Sequence, residues 1–145
     1  MVNYLRDLMS YERDLDEAKV RLIQQPDFNL VDCFKLFEFS GRGWANIDDF
    51  KAGLSSLGVF PALADLELAF RRFDTDKDGV LRYSEFCDMF TPKSPEYAHM
   101  LGSRDPYYIH KPYYRREDFF HGETRHSIAN LFRTLFSVES AAETI

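Results

Sequence analysis

Residues Asp74 to Glu85 read Asp-Thr-Asp-Lys-Asp-Gly-Val-Leu-Arg-Tyr-Ser-Glu. Acidic side chains stand at positions 1, 3, 5 and 12, and a glycine stands at position 6. Calcium loops of this length take side-chain oxygens from those four positions, a carbonyl from position 7 and often a water at position 9, and the glycine makes the sharp turn. The stretch therefore predicts a calcium site formed by Asp74, Asp76, Asp78, the Val80 carbonyl, a water at Arg82, and Glu85.

Apolar residues on both sides of this loop recur about one helical turn apart, as on the inner faces of two helices. Three aspartates within five residues repel one another unless a cation or solvent neutralises them. A helix–loop–helix unit around a hard divalent ion explains both features better than a solvated acidic turn does. The apolar residues are Leu66, Phe70 and Phe73 before the loop, and Phe86, Met89 and Phe90 after it.

With its motif in this context, the region from about Asn29 to Phe90 resembles the EF-hand, or calmodulin-like, superfamily. Members of that superfamily pair two helix–loop–helix units into one lobe. A shift of 36 positions brings Phe37 onto Phe73, which makes residues 38–49 the partner of the competent loop at residues 74–85. The resemblance implies a bound Ca²⁺, with Mg²⁺ as a competitor for the same oxygens.

The ligand pattern of the partner loop is degenerate. Glu38 at position 1 is long, and Ser40 at position 3 is a weak ligand. Arg42 at position 5 brings a positive charge to the place of the ion, and Asp49 at position 12 is shorter than the usual bidentate glutamate. We predict that this loop binds no calcium and serves to pair with the second loop.

These observations predict an all-α fold with one paired EF-hand lobe over residues 26–90 and a short β pairing between its loops. Long amphipathic helices over 1–25 and 123–145 flank the lobe, since their apolar residues alternate steps of four and three as in a heptad seam. Either these helices pack on each other or on the lobe, or they dock onto a helix of another protein. The sequence leaves both open.

Residues 91–122 differ in composition from the rest of the chain. Four prolines interrupt any helical pattern, and tyrosines and phenylalanines fill the intervals between them. Disordered linkers are poor in aromatic residues. We therefore interpret this segment as an extended arm that lies on the chain's own lobe or on a partner.

Composition excludes several functional classes. A net charge of -6 argues against nucleic-acid binding, which depends on neutralising phosphates. No apolar run is long enough to insert into a membrane. Two cysteines without a secretory signal favour reduced thiols in the cytoplasm. The four histidines are scattered and no catalytic motif is present, so we predict that the protein is not an enzyme.

The sequence predicts a calcium-binding protein that is a structural or regulatory interaction subunit of a larger assembly. Asp-Phe-Asn at residues 27–29, the aromatic arm and the heptad helix are similar to EF-hand proteins of protist cilia and cytoskeleton, which implies such a location. The alternative is a calmodulin-like sensor, in which calcium exposes an apolar groove for target helices. Partners are expected at the terminal helices, the arm or that groove.

Overall fold

The computed structural model describes residues 2–108, 115 and 118–143, and these residues are mostly helical. The predicted all-α fold with a short β pairing is confirmed. In chain order the elements are α1 Val2–Ile23, α2 Leu30–Phe37, β1 Trp44–Ala45, α3 Ile47–Ser56, α4 Leu63–Phe73, β2 Leu81–Arg82, α5 Tyr83–Asp88, α6 Pro95–Gly102 and α7 Gly122–Glu143. Among the described residues, no helix combines the length and apolarity needed to cross a membrane.

Two helix–loop–helix units form the lobe, and their loops meet in an antiparallel pair of strands. Ala45 of β1 stands opposite Leu81 of β2, and both side chains are buried. Side-chain caps set where the helices of the first unit begin. Asn29 accepts a hydrogen bond from the Asp32 amide at 2.8 Å, and Asn46 forms a reciprocal capping box with Asp49.

Aromatic side chains make the core, and the C-terminal helix is part of it. Phe132 of α7 lies with its ring 5.4 Å from that of Phe37 and 5.6 Å from those of Phe50 and Phe90. Helix α1 packs along α7, which also contacts α4. The terminal helices therefore pack on each other and on the lobe, which is the first of the two alternatives that the sequence left open.

The prediction that residues 91–122 are extended is wrong for Pro95–Gly102, which forms α6. Pro95 occupies the first turn of this helix, where its missing N–H costs nothing and its fixed φ suits the helix, so a proline here starts a helix. The segment after α6 lies on the chain itself, since the Arg104 guanidinium donates to the carbonyls of Gln25 at 2.7 Å and Phe28 at 3.1 Å. Residues 109–114, 116 and 117 of the predicted arm lie outside the described residues.

One carboxylate joins the α1–α2 linker to the start of α7. Asp27 accepts hydrogen bonds from the Tyr108 hydroxyl at 3.0 Å, from the His121 amide at 2.9 Å and from the Thr124 hydroxyl. Desolvation raises the pKa of Asp27, but these three hydrogen bonds together lower the pKa by a larger amount. The pKa of Asp27 is therefore below its usual value. The ionised form of Asp27 is therefore the one that holds α7.

We expect Asp27→Asn to lower the free energy of unfolding by about 1 kcal/mol at pH 7, because two or three charge-assisted hydrogen bonds at a partly exposed site are weakened. A carboxyl whose folded pKa is depressed stabilises the fold above its unfolded pKa and loses that effect as the pH falls through the folded value. Urea unfolding should therefore show the difference from the wild type at pH 7, and this difference should shrink as the pH falls below about 4. A difference that stays constant from pH 7 down to the lowest pH at which the fold persists would contradict this role.

Candidate metal centre

The second loop runs from the end of α4 to the start of α5, and its backbone turns at its middle. Gly79 has a φ of 83°, a left-handed conformation that a residue without Cβ adopts freely. Lys77 also has a positive φ, 58°. These conformations curl the chain back on itself, so that the side chains before and after Gly79 point toward a common centre.

Four carboxylates converge at that centre. One oxygen from each of Asp74, Asp76, Asp78 and Glu85 lies within 4.8 Å of the others. Ligands on opposite sides of a calcium ion bound at its usual distances are about 5 Å apart, so this spread fits a Ca²⁺ ion. The donor set is entirely of hard oxygens, which is the chemistry of Ca²⁺ and Mg²⁺.

Backbone amides hold the two most buried carboxylates in place. Asp74 and Glu85 are each 5% exposed. Glu85 Oε2 accepts from the Thr75 amide at 2.7 Å, while its Oε1 accepts from the Arg82 amide at 3.0 Å. Asp74 Oδ2 accepts from the Gly79 amide at 2.9 Å. Glu85 thus ties the beginning of the loop to its end, and backbone amides orient both carboxylates.

The outer carboxylates of the loop, Asp76 and Asp78, are exposed, and their pKa values shift in opposite directions. Desolvation, followed by side-chain hydrogen bonds with Asp78 and Asp74, raises the pKa of Asp76. At Asp78, desolvation is outweighed by hydrogen bonds from the Val80 amide and the Arg82 side chain, among others, which lower the pKa. Two neighbouring acids whose pKa values shift in opposite directions are typical of a crowded site that a cation would neutralise.

Arg82 makes a contact that the sequence interpretation missed. We predicted only a water at this position, but the Arg82 guanidinium pairs directly with Asp78, with Nε 3.1 Å and a terminal nitrogen 3.0 Å from Oδ2. The four-residue separation of an acid and a base was the available signal. Val80 lies between Gly79 and β2 and donates its amide to Asp78 Oδ1 at 3.1 Å. The ligand roles of Val80 and Arg82 stay predictions.

An arginine fills the corresponding centre of the first loop. The Arg42 guanidinium pairs with Asp49 and lies 3.8 Å from Glu38 Oε1, so it stands between the carboxylates of positions 12 and 1. Glu38 is 1% exposed and also accepts from the Gly43 amide at 3.1 Å. The guanidinium also lies 4.1 Å above the ring of Trp44. A side-chain cation thus lies between two of the carboxylates that stand at ligand positions of this loop.

Comparison with known proteins agrees with this geometry. The model of the EF-hand domain pair matches residues 27–91, the span of the two units described above. This part of the chain is an EF-hand pair. Its two hands are residues 30–56, with the arginine-filled loop, and residues 63–88, with the carboxylate cluster. The EF-hand superfamily that the sequence resembles is thereby confirmed, and the fold is one that implies calcium binding.

Curated relatives of this chain are named for calcium. Calcium-binding protein 7 of Homo sapiens is 29% identical over 87 residues, which is 60% of this chain and 38% of the relative. Calcium-binding protein 8 of Homo sapiens is 25% identical over 91 residues, 63% of this chain and 34% of the relative. Calcium-dependent protein kinase 7 of Arabidopsis thaliana is 36% identical over 57 residues, 39% of this chain and 11% of the kinase.

The chain therefore spans less than two fifths of the length of these curated relatives. No solved structure matches the chain. The predicted absence of catalytic activity and the similarity to ciliary and cytoskeletal proteins stay predictions, because none of these matches bears on them.

Proposed function

We propose that this protein is a calcium-binding interaction subunit with one exchangeable ion, held by Asp74, Asp76, Asp78 and Glu85. The contrast between the two loops carries the proposal. In the second loop four carboxylate oxygens converge within 4.8 Å. In the first loop the Arg42 guanidinium lies against Glu38 and Asp49, where an ion would meet strong repulsion. Mg²⁺ competes for the same oxygens, although it accepts a less adaptable geometry than Ca²⁺.

A calcium titration tests the number of sites. Trp44 is the single tryptophan, and it stands opposite Arg82 in the strand pair that joins the loops. We expect Trp44 emission to follow calcium and isothermal titration calorimetry to give one ion per chain. Two ions of similar affinity would contradict the proposal. The same titration with Mg²⁺ present measures the competition.

The filled core of the lobe favours a subunit over a sensor. A sensor must present an apolar groove when calcium arrives, but the space between the hands already holds Phe132, which is fully buried. We expect an apolar-surface dye to respond little when calcium binds. A large dye response at the ion concentration that saturates Trp44 would favour the sensor alternative instead.

The proposed setting is the cytoplasm, within a ciliary or cytoskeletal assembly. Support comes from the similarity of residues 27–29, the aromatic arm and the terminal helix to proteins of that kind, and from the acidic charge of -6, which suits basic protein partners. We propose neither enzymatic activity nor nucleic-acid binding. Affinity purification of the tagged protein from ciliated cells, with calcium and with chelator, would identify the partner and whether its binding needs the ion.

A further inference from the structure

We propose that Lys19 is an acylation site, at which the side-chain amine takes a short neutral acyl group from an acyl thioester. Lys19 lines an open cleft of about 220 Å³ that is bordered by α1, the end of α4 and α7. The residues that line this cleft lie outside the calcium loop at residues 74–85. Acylation at Lys19 therefore does not depend on how many ions bind.

Lys19 is half-buried near the end of α1, and its amine is not held in an ion pair. The Nζ atom donates a hydrogen bond to the Thr91 carbonyl at 3.3 Å. Among the residues that the structure describes, no carboxylate forms a salt bridge with this amine. Asp16, one turn earlier on the same helix, instead accepts a hydrogen bond from the backbone amide of Lys93 at 2.9 Å. Conversion of the Lys19 cation to an uncharged group therefore breaks no ion pair.

The surroundings of Lys19 favour the uncharged form of its amine. Desolvation by burial has the largest effect and lowers the pKa of Lys19 below the usual lysine value. The carboxylate of Asp16 opposes this shift, and the cations Arg72 and Lys93 add to it. The carboxylate of Asp88 has a smaller, raising effect on the same pKa. Only the uncharged amine has the lone pair that attacks a carbonyl carbon, so Lys19 is nucleophilic at a lower pH than an ordinary lysine is.

The charges that line the cleft balance one another. Arg72 and Lys93 place positive charge near the Lys19 amine, where it stabilises an oxyanion that forms during acyl transfer. The lining also includes three carboxylates, those of Glu12, Asp16 and Asp88. Once Lys19 has been acylated, these acids outnumber the remaining cations. An acyl group with a carboxylate of its own would then meet repulsion, so the cleft favours a neutral acyl group.

The reaction at Lys19 is a nucleophilic acyl substitution. The nitrogen lone pair forms a bond with the carbonyl carbon of the thioester, and the carbonyl electrons move onto the oxygen. When these electrons return, the carbon–sulfur bond breaks and the thiolate leaves with its electron pair. The surplus proton on nitrogen passes through water to the thiolate. The products are an amide and a free thiol, so no oxidant or reductant is required.

Apolar side chains form the rest of the lining and fit a short carbon chain. The cleft volume of about 220 Å³ is below the roughly 300–1,000 Å³ of pockets for drug-sized ligands, so a short acyl chain fits and a long one does not. The amide product has no charge to desolvate, and its N–H can still donate to the Thr91 carbonyl. The apolar lining residues are Leu15, Phe73, Leu135 and Val138.

The test measures acylation of individual lysines in the full wild-type chain by acetyl coenzyme A, with tryptic peptides quantified by mass spectrometry. Lys51 of α3 is exposed and serves as the matched control within the same molecule. We expect Lys19 to be acetylated about tenfold faster than Lys51 at neutral pH, because its amine is more often uncharged and neighbouring cations stabilise the oxyanion. Succinyl coenzyme A, whose acyl group carries a carboxylate, should give a smaller ratio of the Lys19 rate to the Lys51 rate.

Two further readouts distinguish a nucleophilic amine from one that is merely accessible. The acetylation rate at Lys19 should level off below a pH of about 10.4, the ordinary lysine pKa, since a lowered pKa completes the loss of the proton earlier. Lys93→Gln removes one cation and keeps the backbone amide that donates to Asp16. We expect this variant, checked for folding by circular dichroism, to acetylate more slowly at Lys19 and unchanged at Lys51.

Four results would each overturn the proposal. They are a Lys19 rate equal to or below that of Lys51, a succinyl ratio at or above the acetyl ratio, a rate at Lys19 that still rises at the ordinary lysine pKa, and an unchanged rate at Lys19 in folded Lys93→Gln. Calcium binding by the same samples is read separately from Trp44, so failure here leaves the ion site intact.

Discussion

Glu85→Gln is expected to weaken calcium binding by about two orders of magnitude. The substitution removes one negative charge and the bidentate carboxylate from a cluster whose affinity depends on the number of charged ligands. The side-chain amide oxygen of the glutamine can still accept a hydrogen bond at the start of α5, so the lobe should remain folded. Isothermal titration calorimetry measures the affinity, and circular dichroism checks the fold.

The degenerate loop supplies a matched control for this experiment. Asp49 occupies position 12 of the first loop, as Glu85 does in the second, but its partner is the Arg42 guanidinium. We expect Asp49→Asn to change calcium affinity by no more than about twofold, since an exposed ion pair of this kind contributes little. If Glu85→Gln binds calcium as the wild type does, or if Asp49→Asn loses it, the ion has been assigned to the wrong residues.

Phe132→Ala should lower the free energy of unfolding by about 3–5 kcal/mol, the usual cost of removing a buried phenylalanine. The Phe132 side chain is 0% exposed and borders three rings of the lobe, so the vacated space cannot be filled by rotation of one neighbour. Urea unfolding followed by circular dichroism measures the change, with calcium present in both samples to keep the variant folded.

Phe60 provides the comparison on the surface. It lies in the connection between the two hands and is 77% exposed. Phe60→Ala removes the same atoms but should change the free energy of unfolding by no more than about 0.5 kcal/mol. Similar effects from both substitutions would mean that α7 does not lie between the hands.

The carboxylate cluster of residues 74–85 could be predicted because the contacts that form it are local. Each of the four carboxylates that converge there lies within one stretch of 12 residues, so the motif alone sets their geometry. The arginine in the first loop was predictable for the same reason. Arg42 occupies a ligand position, and its pairing with Asp49 follows from the loop's curvature.

The docking of α7 could not be predicted because it depends on contacts between distant residues. Phe132 meets Phe37 and Phe50, which lie more than 80 residues earlier in the chain. A heptad stripe is the same whether its partner is internal or external. The helix at Pro95–Gly102 was missed for a different reason. The number of prolines in residues 91–122 was taken to exclude a helix, but a proline in the first turn, as Pro95 is, allows the helix to form.

The arginine in the first loop also bears on the response to calcium that the proposed single site would give. Because this cation is part of the chain, it is present at every calcium concentration, and under that proposal chelation would empty only one half of the lobe. Cooperativity between sites requires two exchangeable ligands. We therefore expect a lobe with one built-in and one exchangeable cation to fill along a simple hyperbola, so that its occupancy would report calcium gradually over a wide concentration range, without a threshold.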